Sequence, residues 1–361
     1  MGDTTVAWFA MDDHTRFMLH EVAPAVREPE RGKRIPDVVE MGIDHIALHY
    51  STGFHDCTIR ALHETGRTPL EDSHVVTDRK TLRKLVMNGC VSLPTDPFYC
   101  KRELMTVMAE NVDGVVFLGG TNRYDPAPGS FGRGFEQIAT GHTASKTFYR
   151  IEWMHFDDVS TFIRCETDGV DAAGVAVELR CKKYNPRYPP NRDYYLNSWI
   201  QMVLSNTMTE IIGFHQNGRL SHTERLTLSQ VQARAGVTDE DAARCMKRLG
   251  KYLARIRDGV PPGRQATITV AEDGHVVVRV LENKPHPMFS SDTLRGLVNS
   301  YFDDSNETDE AAAPAAAVGA VPAKAIATPV AVASTATSKV ADHEMDELAS
   351  VFVRAAKTGD L

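Results

Sequence analysis

Three acidic residues and one basic residue in the middle of the chain have spacings that suit metal-dependent chemistry. Glu166 and Asp168 are two residues apart, and Glu178 follows with Arg180 two residues beyond it. Side chains two apart on a β-strand point to the same face of the sheet. We predict that the two segments form one hairpin, in which Asp168 faces Glu178 and Glu166 faces Arg180.

Two carboxylates directly opposed on paired strands have Cβ atoms roughly 5 Å apart and repel each other. A hard divalent cation with oxygen ligands, Mg²⁺ or Mn²⁺, would relieve that repulsion. An alternative is that the acids line the solvent face of a half-buried sheet, but apolar neighbours such as Phe162, Ile163 and Val177 disfavour it. Asp followed by Glu-x-Lys or Glu-x-Arg is also typical of nucleases, in which the bound cation assists attack on a phosphate.

Flanking segments supply further candidates. Glu136 follows two glycines at the start of a predicted helix and adds a carboxylate to the same centre. Arg79 lies at a predicted strand-to-helix junction, where a guanidinium group can hold a phosphate with two hydrogen bonds. Taken alone, Arg79 is more typical of an exposed residue at a helix start. A predicted amphipathic helix downstream carries Trp199 and Gln201.

In this order the segments resemble the DXO family of decapping and 5′-end exoribonucleases (Rai-type), of which the chain would be a divergent member. The resemblance covers roughly residues 5–300. The family elements G-x-x-φ-E, E-φ-D, E-φ-K and W-x-Q, with a preceding arginine, are similar to the following residues: Gly132–Glu136, Glu166–Asp168, Glu178–Arg180, Trp199–Gln201 and Arg79.

The resemblance implies two mixed β-sheets packed together and flanked by helices, with the active site in a cleft between them. Glu136, Asp168, Glu178 and the carbonyl of Leu179 would bind Mg²⁺ or Mn²⁺, with two cations expected, and Glu166 would hold a water on the metal. Gln201, Arg79 and Arg180 would act on the RNA backbone at the scissile phosphate. No organic cofactor is implied.

The implied activity is hydrolysis at RNA 5′ ends. It comprises removal of incomplete or non-canonical caps (decapping, removal of NAD, release of pyrophosphate) and 5′-to-3′ exonuclease action. Arg180, Thr167 and the pair Asn197-Ser198 depart from the family pattern. Arginine keeps the positive charge of lysine, but it is planar and cannot give up a proton at neutral pH. Two alternatives stay open: a 5′-end-binding scaffold for a separate exonuclease, and a DNA endonuclease.

The composition bears on three further questions: nucleic-acid binding, zinc binding and location in the cell. The net charge of −8 does not by itself indicate a nucleic-acid-binding protein, although acids at a metal centre account for part of it. Six cysteines without a CxxC pair, and fourteen histidines without HExxH, argue against a zinc site. We expect no membrane span and no signal peptide, and therefore a nuclear or cytoplasmic location.

Runs of strands punctuated by helices predict an α+β fold. Predicted helices cover 79–87, 134–140, 192–206 and 239–257, and predicted strands cover 112–119, 147–155, 161–168, 175–182, 209–215, 219–228, 265–271 and 275–281. A nuclease domain would span 1–303, followed by a disordered Ala/Pro-rich linker over 304–341 and a short helix or tail over 342–361. That last helix is a candidate for docking a protein partner, such as a larger exoribonuclease.

Truncation after residue 304 tests the domain boundaries. The Ala/Pro-rich tract has no apolar period and adds nothing to a core, so the shortened chain should keep its melting temperature within about 2 °C, roughly the shift that 1 kcal/mol causes in a domain of this size. Differential scanning calorimetry of both chains measures this, and a large drop in melting temperature would contradict the linker assignment.

Overall fold

The computed structural model describes residues 5–12, 17–37, 55–65, 73–89, 107–120, 131–142, 146–271 and 274–282. They belong to one compact unit, Asp3–Val298. The predicted linker and the C-terminal helix lie outside the described residues. Within the described part, no helix is both long and apolar enough to cross a membrane.

Two mixed sheets form the framework, as the family resemblance implies. The strands are β1 (Thr5–Asp12), β2 (Phe17–Leu19), β3 (Val75–Asp78), β4 (Val107–Val112), β5 (Val115–Gly120), β6 (Lys146–Phe156), β7 (Val159–Glu166), β8 (Gly169–Val170), β9 (Ala176–Lys183), β10 (Thr209–Gln216), β11 (Arg219–Thr227), β12 (Gln265–Val270) and β13 (Val276–Val280). A nine-stranded sheet has the order β13-β12-β4-β5-β3-β7-β6-β1-β2, and a four-stranded sheet has the order β11-β10-β9-β8.

Six helices are described alongside these sheets, and the α+β class is confirmed. They are α1 (Asp56–Glu64), α2 (Arg79–Gly89), α3 (Gly132–Thr140), α4 (Arg192–Leu204), α5 (Leu228–Ala235) and α6 (Asp239–Gly259). Asn191 caps α4 by accepting from the backbone N–H of Tyr194, and Thr227 and Thr238 begin α5 and α6 with capping boxes.

Helix α4 is not amphipathic, contrary to the sequence prediction. Eight of its residues are buried, and they face more than one side of the helix. Trp199 belongs to a core that also contains Ile163 of the nine-stranded sheet and Ile212 of the four-stranded sheet. A helix that is apolar almost all round is a buried helix. Helix α4 therefore contributes side chains to a core shared by both sheets.

Several predicted elements are confirmed with small shifts, including the hairpin across Asn217-Gly218, where both residues have positive φ. The predicted strand 112–119 is confirmed as β5 from Val115 onward, and its start is wrong, because a turn at Asp113-Gly114, also with positive φ, separates β5 from β4. Helices α1 and α5 had no counterpart in the sequence analysis.

Helix α3 lies against the four-stranded sheet at a point where two glycines allow close approach. A Cβ atom on Gly213 of β10 would lie 2.3–2.7 Å from ring atoms of Phe135, and one on Gly134 would lie 1.8 Å from the carbonyl oxygen of Pro36. The Phe135 ring is fully buried, so it cannot move aside at low cost. This contact fixes the depth at which α3 presents Glu136, the residue after Phe135.

Gly213→Ala should therefore lower the free energy of unfolding by about 1–3 kcal/mol, because the new methyl group overpacks the Phe135 ring. Gly132→Ala, at the start of α3, meets no atom within 4 Å and is the control. It should leave stability unchanged or raise it by up to about 1 kcal/mol, as expected for alanine in a helix. Urea unfolding of both variants measures this, and equal losses would contradict the close-packing account.

Candidate active site

The acidic residues meet where the chain passes from one sheet to the other. Glu166 is the last residue of β7 in the nine-stranded sheet, and β8 of the four-stranded sheet begins at Gly169. The predicted single hairpin is therefore wrong: β7 pairs with β6 and β3, while β9 pairs with β8 and β10. Asp168 occupies the short connection between the two sheets.

Of the two predicted residue pairs, Asp168 opposite Glu178 agrees with the strand register. Gly169 pairs with Val177, and continuing this register by one residue places Asp168 opposite Glu178. The backbone N–H of Leu179 donates to Asp168 Oδ2 at 2.7 Å. Glu166 does not face Arg180, because Glu166 belongs to the other sheet. The metal-ligand role of the Leu179 carbonyl stays a prediction.

Arg133 of α3 forms ion pairs with both Glu136 and Glu166. The sequence analysis did not select this residue. Arg133 donates from Nη1 to Glu136 Oε2 at 2.8 Å and from Nη2 to Glu166 Oε1 at 2.5 Å. It lies three residues before Glu136, one helical turn away on the same face. That spacing within the G-R-G-F-E motif was a usable signal for Arg133.

Arg79 holds the opposite side of the site. It begins α2 directly after Asp78, whose carboxylate caps the helix by accepting from the N–H and hydroxyl of Thr81. Arg79 Nη1 donates to Glu178 Oε2 at 2.6 Å, and both side chains are largely buried. Arg79 is therefore not an exposed helix-start residue, and removal of Glu178 would leave its guanidinium group without that partner.

Arg180 is positioned by Glu210, a second residue that the sequence analysis missed. In the parallel pairing of β9 and β10, Glu210 lies beside Glu178. Arg180 Nε lies 2.8 Å from Glu210 Oε1, and Arg180 Nη2 lies 3.9 Å from Glu178 Oε1. Ser198 of α4 also donates to Glu210. A buried glutamate at the start of an otherwise apolar strand was the only signal, and it is a weak one.

Gln201 lies on α4, one helical turn before Ser205, which in turn is 3.5 Å from Arg79 Nη1. The side-chain oxygen Oε1 of Gln201 is buried and has no hydrogen-bond partner among the residues described. Buried polar atoms are normally paired. An unpaired one, one helical turn from Ser205, suits a group that a ligand would engage.

The protonation equilibria at this centre reflect burial and crowding. Burial, followed by repulsion from Glu178, Glu136 and Glu166, raises the pKa of Asp168 well above its ordinary value. Burial also raises the pKa of Glu136, although Arg133 opposes the shift. For Glu166 burial works against ionisation, but Arg133 and then Arg79 outweigh it, so its pKa is lowered.

The charges just described do not balance. Five carboxylates (Glu136, Glu166, Asp168, Glu178 and Glu210) share three guanidinium groups (Arg79, Arg133 and Arg180). Asp168 makes no ion pair with any described residue. All-oxygen donors with excess negative charge fit a hard divalent cation. In the described part of the chain, no three His, Cys, Asp or Glu side chains converge as a metal-binding group.

A buried arginine, Arg150, connects this site to the surrounding elements of the fold by hydrogen bonds. Arg150 of β6 pairs with Glu152 at 2.6 Å, donates to Thr167 Oγ1 at 2.9 Å and donates to Thr207 Oγ1 at 2.8 Å. It also donates to the carbonyl oxygen of Ser205. Thr167 departs from the apolar residue of the family pattern, and its hydroxyl accepts this hydrogen bond between Glu166 and Asp168.

Known proteins resemble this chain in structure, although no match is found by sequence. No protein-family model matches the chain, and no curated protein matches its sequence. Solved structures do match. S. pombe Rai1 in complex with 3′-FADP is 17% identical over 77% of this chain and 93% of that chain, with a TM-score of 0.60.

Two further Rai1 structures match in the same way. Scheffersomyces stipitis Rai1, with (3′-NADP)⁺ and a calcium ion, is 13% identical over 82% of this chain and 94% of that chain, with a TM-score of 0.58. Candida albicans Rai1, in complex with pU5 and Mn²⁺, is 12% identical over 82% of this chain and 95% of that chain, with a TM-score of 0.57. The fold expected from the DXO-family resemblance is confirmed.

Asp168 and Glu166 should respond in opposite directions when each is neutralised without metal. Asp168→Asn removes the unpaired charge and should raise the free energy of unfolding by about 0.5–2 kcal/mol at neutral pH. Because the pKa of Asp168 is raised in the folded protein, the gain should grow as pH rises from the ordinary aspartate pKa and be absent below it.

Glu166→Gln is the matched control, because Glu166 pairs with Arg133. It should lower stability at neutral pH, since the folded-state pKa of Glu166 is lowered and its ionised form is the favoured one. Urea unfolding in EDTA between pH 4 and pH 8 measures both variants. Destabilisation of both by the same amount would show that the unbalanced charge at Asp168 has no energetic effect.

Proposed function

We propose that the chain is a metal-dependent enzyme that processes RNA 5′ ends. The observation that carries this proposal is the Asp168 carboxylate, which accepts from the N–H of Leu179, makes no ion pair with any described residue and lies close to the carboxylates of Glu136, Glu166 and Glu178. Uncompensated acids clustered in this way mark functional sites more often than structural ones.

Glu136, Asp168 and Glu178 would hold Mg²⁺ or Mn²⁺. When bound, the cation supplies Lewis-acid polarisation of a phosphate and offsets the charge that develops on it. The excess charge at the site accommodates one such cation, and a second stays a prediction from the family resemblance. Arg133 and Arg79 now pair with carboxylate oxygens of Glu136 and Glu178, so these ion pairs would loosen as the cation binds.

The remaining side chains have roles that follow from their chemistry. Glu166 is the acid whose pKa is lowered, so it stays ionised and is suited to orient a water molecule. Arg79 and Arg180 would donate to non-bridging phosphate oxygens, and Gln201 Oε1 would accept from a substrate hydroxyl group. Glu210 would act only as a positioning residue, by orienting Arg180.

The substrate class follows from the resemblance and from the ligands of the similar structures. The similar Rai1 structures are complexes with 3′-FADP, with (3′-NADP)⁺ and calcium, and with pU5 and Mn²⁺. We propose hydrolysis of phosphodiester or pyrophosphate bonds, which would remove triphosphate, unmethylated or NAD caps, together with 5′-to-3′ degradation of RNA.

A second candidate function is a 5′-end-binding scaffold without turnover. The arrangement of Arg180 favours it: Glu210 and Glu178 hold the guanidinium group between them, where the family pattern has lysine. An arginine held in this way can still bind phosphate. The scaffold hypothesis therefore predicts RNA binding without product release.

The proposal is tested with RNAs labelled near the 5′ end that carry a triphosphate, a monophosphate, an unmethylated cap or an NAD cap. With Mn²⁺, wild-type protein should release product from at least one of them, and EDTA should abolish release. Arg180→Ala should lower kcat by about 10²-fold, as for loss of a preorganised electrostatic group. Arg180→Lys should retain activity, and Arg255→Ala, on the exposed face of α6, should match wild type.

The remaining outcomes decide between the alternatives. RNA binding without product from any 5′ end would favour the scaffold. Cleavage of circular duplex DNA would favour an endonuclease. Neither binding nor product would mean that the chain has this fold without the function. Turnover that persists after chelation and dialysis would contradict the metal-dependent mechanism.

A further inference from the structure

The segment that follows the site strand is basic and aromatic, in contrast to the rest of the chain. Residues 180–192, RCKKYNPRYPPNR, contain five arginine or lysine residues and no acid, whereas the whole chain has a net charge of −8. The segment starts at Arg180 inside the candidate active site and ends at the first turn of α4. It therefore runs from the site to the protein surface.

Positive charge continues outward along β9. Arg180 and Lys182 lie on the same face as Glu178, because alternate residues of a strand share a face. Both cations lie against the Tyr194 ring, with Lys182 Nζ 4.4 Å and Arg180 Cζ 5.6 Å from its centroid. Lys183 is exposed at the end of the strand. The positive face thus extends about 7 Å beyond Arg180, to Lys182, at roughly 3.3 Å per residue, and Lys183 continues the run of positive charge on the opposite face of the strand.

The following turn is ordered by its own hydrogen bonds. Asn185 Oδ1 accepts from the N–H of Arg187 at 3.0 Å, and the Asn185 carbonyl accepts from the N–H of Tyr188 at 3.1 Å. The backbone N–H of Tyr184 holds the start of the turn by donating to the carbonyl oxygen of His215 at 2.7 Å. Three prolines (Pro186, Pro189 and Pro190) restrict the backbone further. An ordered turn loses little conformational entropy when it binds a ligand.

This turn presents one aromatic ring to solvent. Tyr188 is 75% exposed, and it is the only aromatic residue among the exposed large apolar residues of the described part. Arg187 beside it is exposed as well, as is Lys183. An isolated exposed ring flanked by cations does not form a broad apolar patch of the kind that docks a protein. It matches the combination that binds single-stranded nucleic acid, in which bases stack on aromatic rings and cations follow the phosphates.

We propose that Lys183, Arg187 and Tyr188 form a docking site for single-stranded RNA downstream of the processed 5′ end, a role that rests on the function proposed above. Tyr188 would stack on an unpaired base, and Lys183 and Arg187 would contact phosphates. Duplex RNA would bind this turn poorly, because its bases are already stacked in the helix and its grooves are recognised by other means.

The test is binding of a fluorescent 5′-monophosphate RNA of twelve nucleotides, measured by anisotropy in EDTA so that no hydrolysis occurs. Tyr188→Leu should weaken binding at least about fivefold, the lower end for loss of one stacked base. Tyr188→Phe keeps the ring and should stay within about twofold of wild type. A self-complementary duplex of the same length should bind wild type and Tyr188→Leu equally.

The charges are tested by the salt dependence of the same binding. Lys183→Ala/Arg187→Ala should reduce the slope of log Kd against log salt concentration by about 1.4, at roughly 0.7 per phosphate contact on a single strand. Lys251→Ala/Arg255→Ala, which removes two exposed charges from α6, is the control and should leave the slope unchanged.

The proposed function is tested separately, by wild-type turnover with Mn²⁺ on 5′-end substrates. Wild-type turnover combined with unchanged binding by Tyr188→Leu and by the Lys183/Arg187 variant would overturn the docking site and leave the proposed function intact. Equal weakening by the two pairs of charge variants would also overturn it, since a general charge effect would then explain the binding. Wild-type protein that neither binds nor processes RNA would overturn both proposals.

Discussion

Burial of like charges is the constraint on which this structure depends. Glu136, Glu166, Asp168, Glu178 and Glu210 lie close enough to influence one another's ionisation, in a region largely shielded from water. Carboxylates in such a place are stable only if cations or hydrogen-bond donors face them. Arg133, Arg79 and Arg180 each contact two acids or an acid and a hydroxyl, and so each joins two elements of the fold.

The carboxylates of the site come from different elements of the fold. Glu166 comes from the large sheet, Glu178 and Glu210 from the small sheet, and Glu136 from a helix that packs on the small sheet through Phe135 and Gly213. Asp168 lies in the connection between the sheets. A site assembled from two sheets and a helix requires their mutual positions to be fixed, and the buried helix α4 meets that need by sharing its core with both sheets.

Sequence patterns predicted the elements better than their partners. Periodicity and Asn217-Gly218 located most strands from β6 onward, and the motif order identified the fold and the acids around Asp168. Alternation along β7 and β9 could not show that the chain changes sheets between Glu166 and Gly169, since a hairpin and a sheet crossing have the same local pattern. Glu210 was missed for a related reason: its role comes from a contact between two elements, which periodicity does not encode. Arg133, in contrast, had a usable signal in its spacing from Glu136. The Ala/Pro-rich linker and the C-terminal tail stay predictions.

Arg150 has a consequence for how the protein opens and closes. Its guanidinium group joins β6 to Thr167 in the sheet crossing and to Ser205 and Thr207 at the end of α4, while Glu152 neutralises it. Separating the sheets at this point would break the hydrogen bonds from a buried cation to Thr167, Ser205 and Thr207 and leave it only Glu152, so local opening here should be costly. Amide protons on both sides of the crossing should then exchange with solvent at one shared, slow rate. The carboxylates would be protected from partial exposure by the same network that holds them in place.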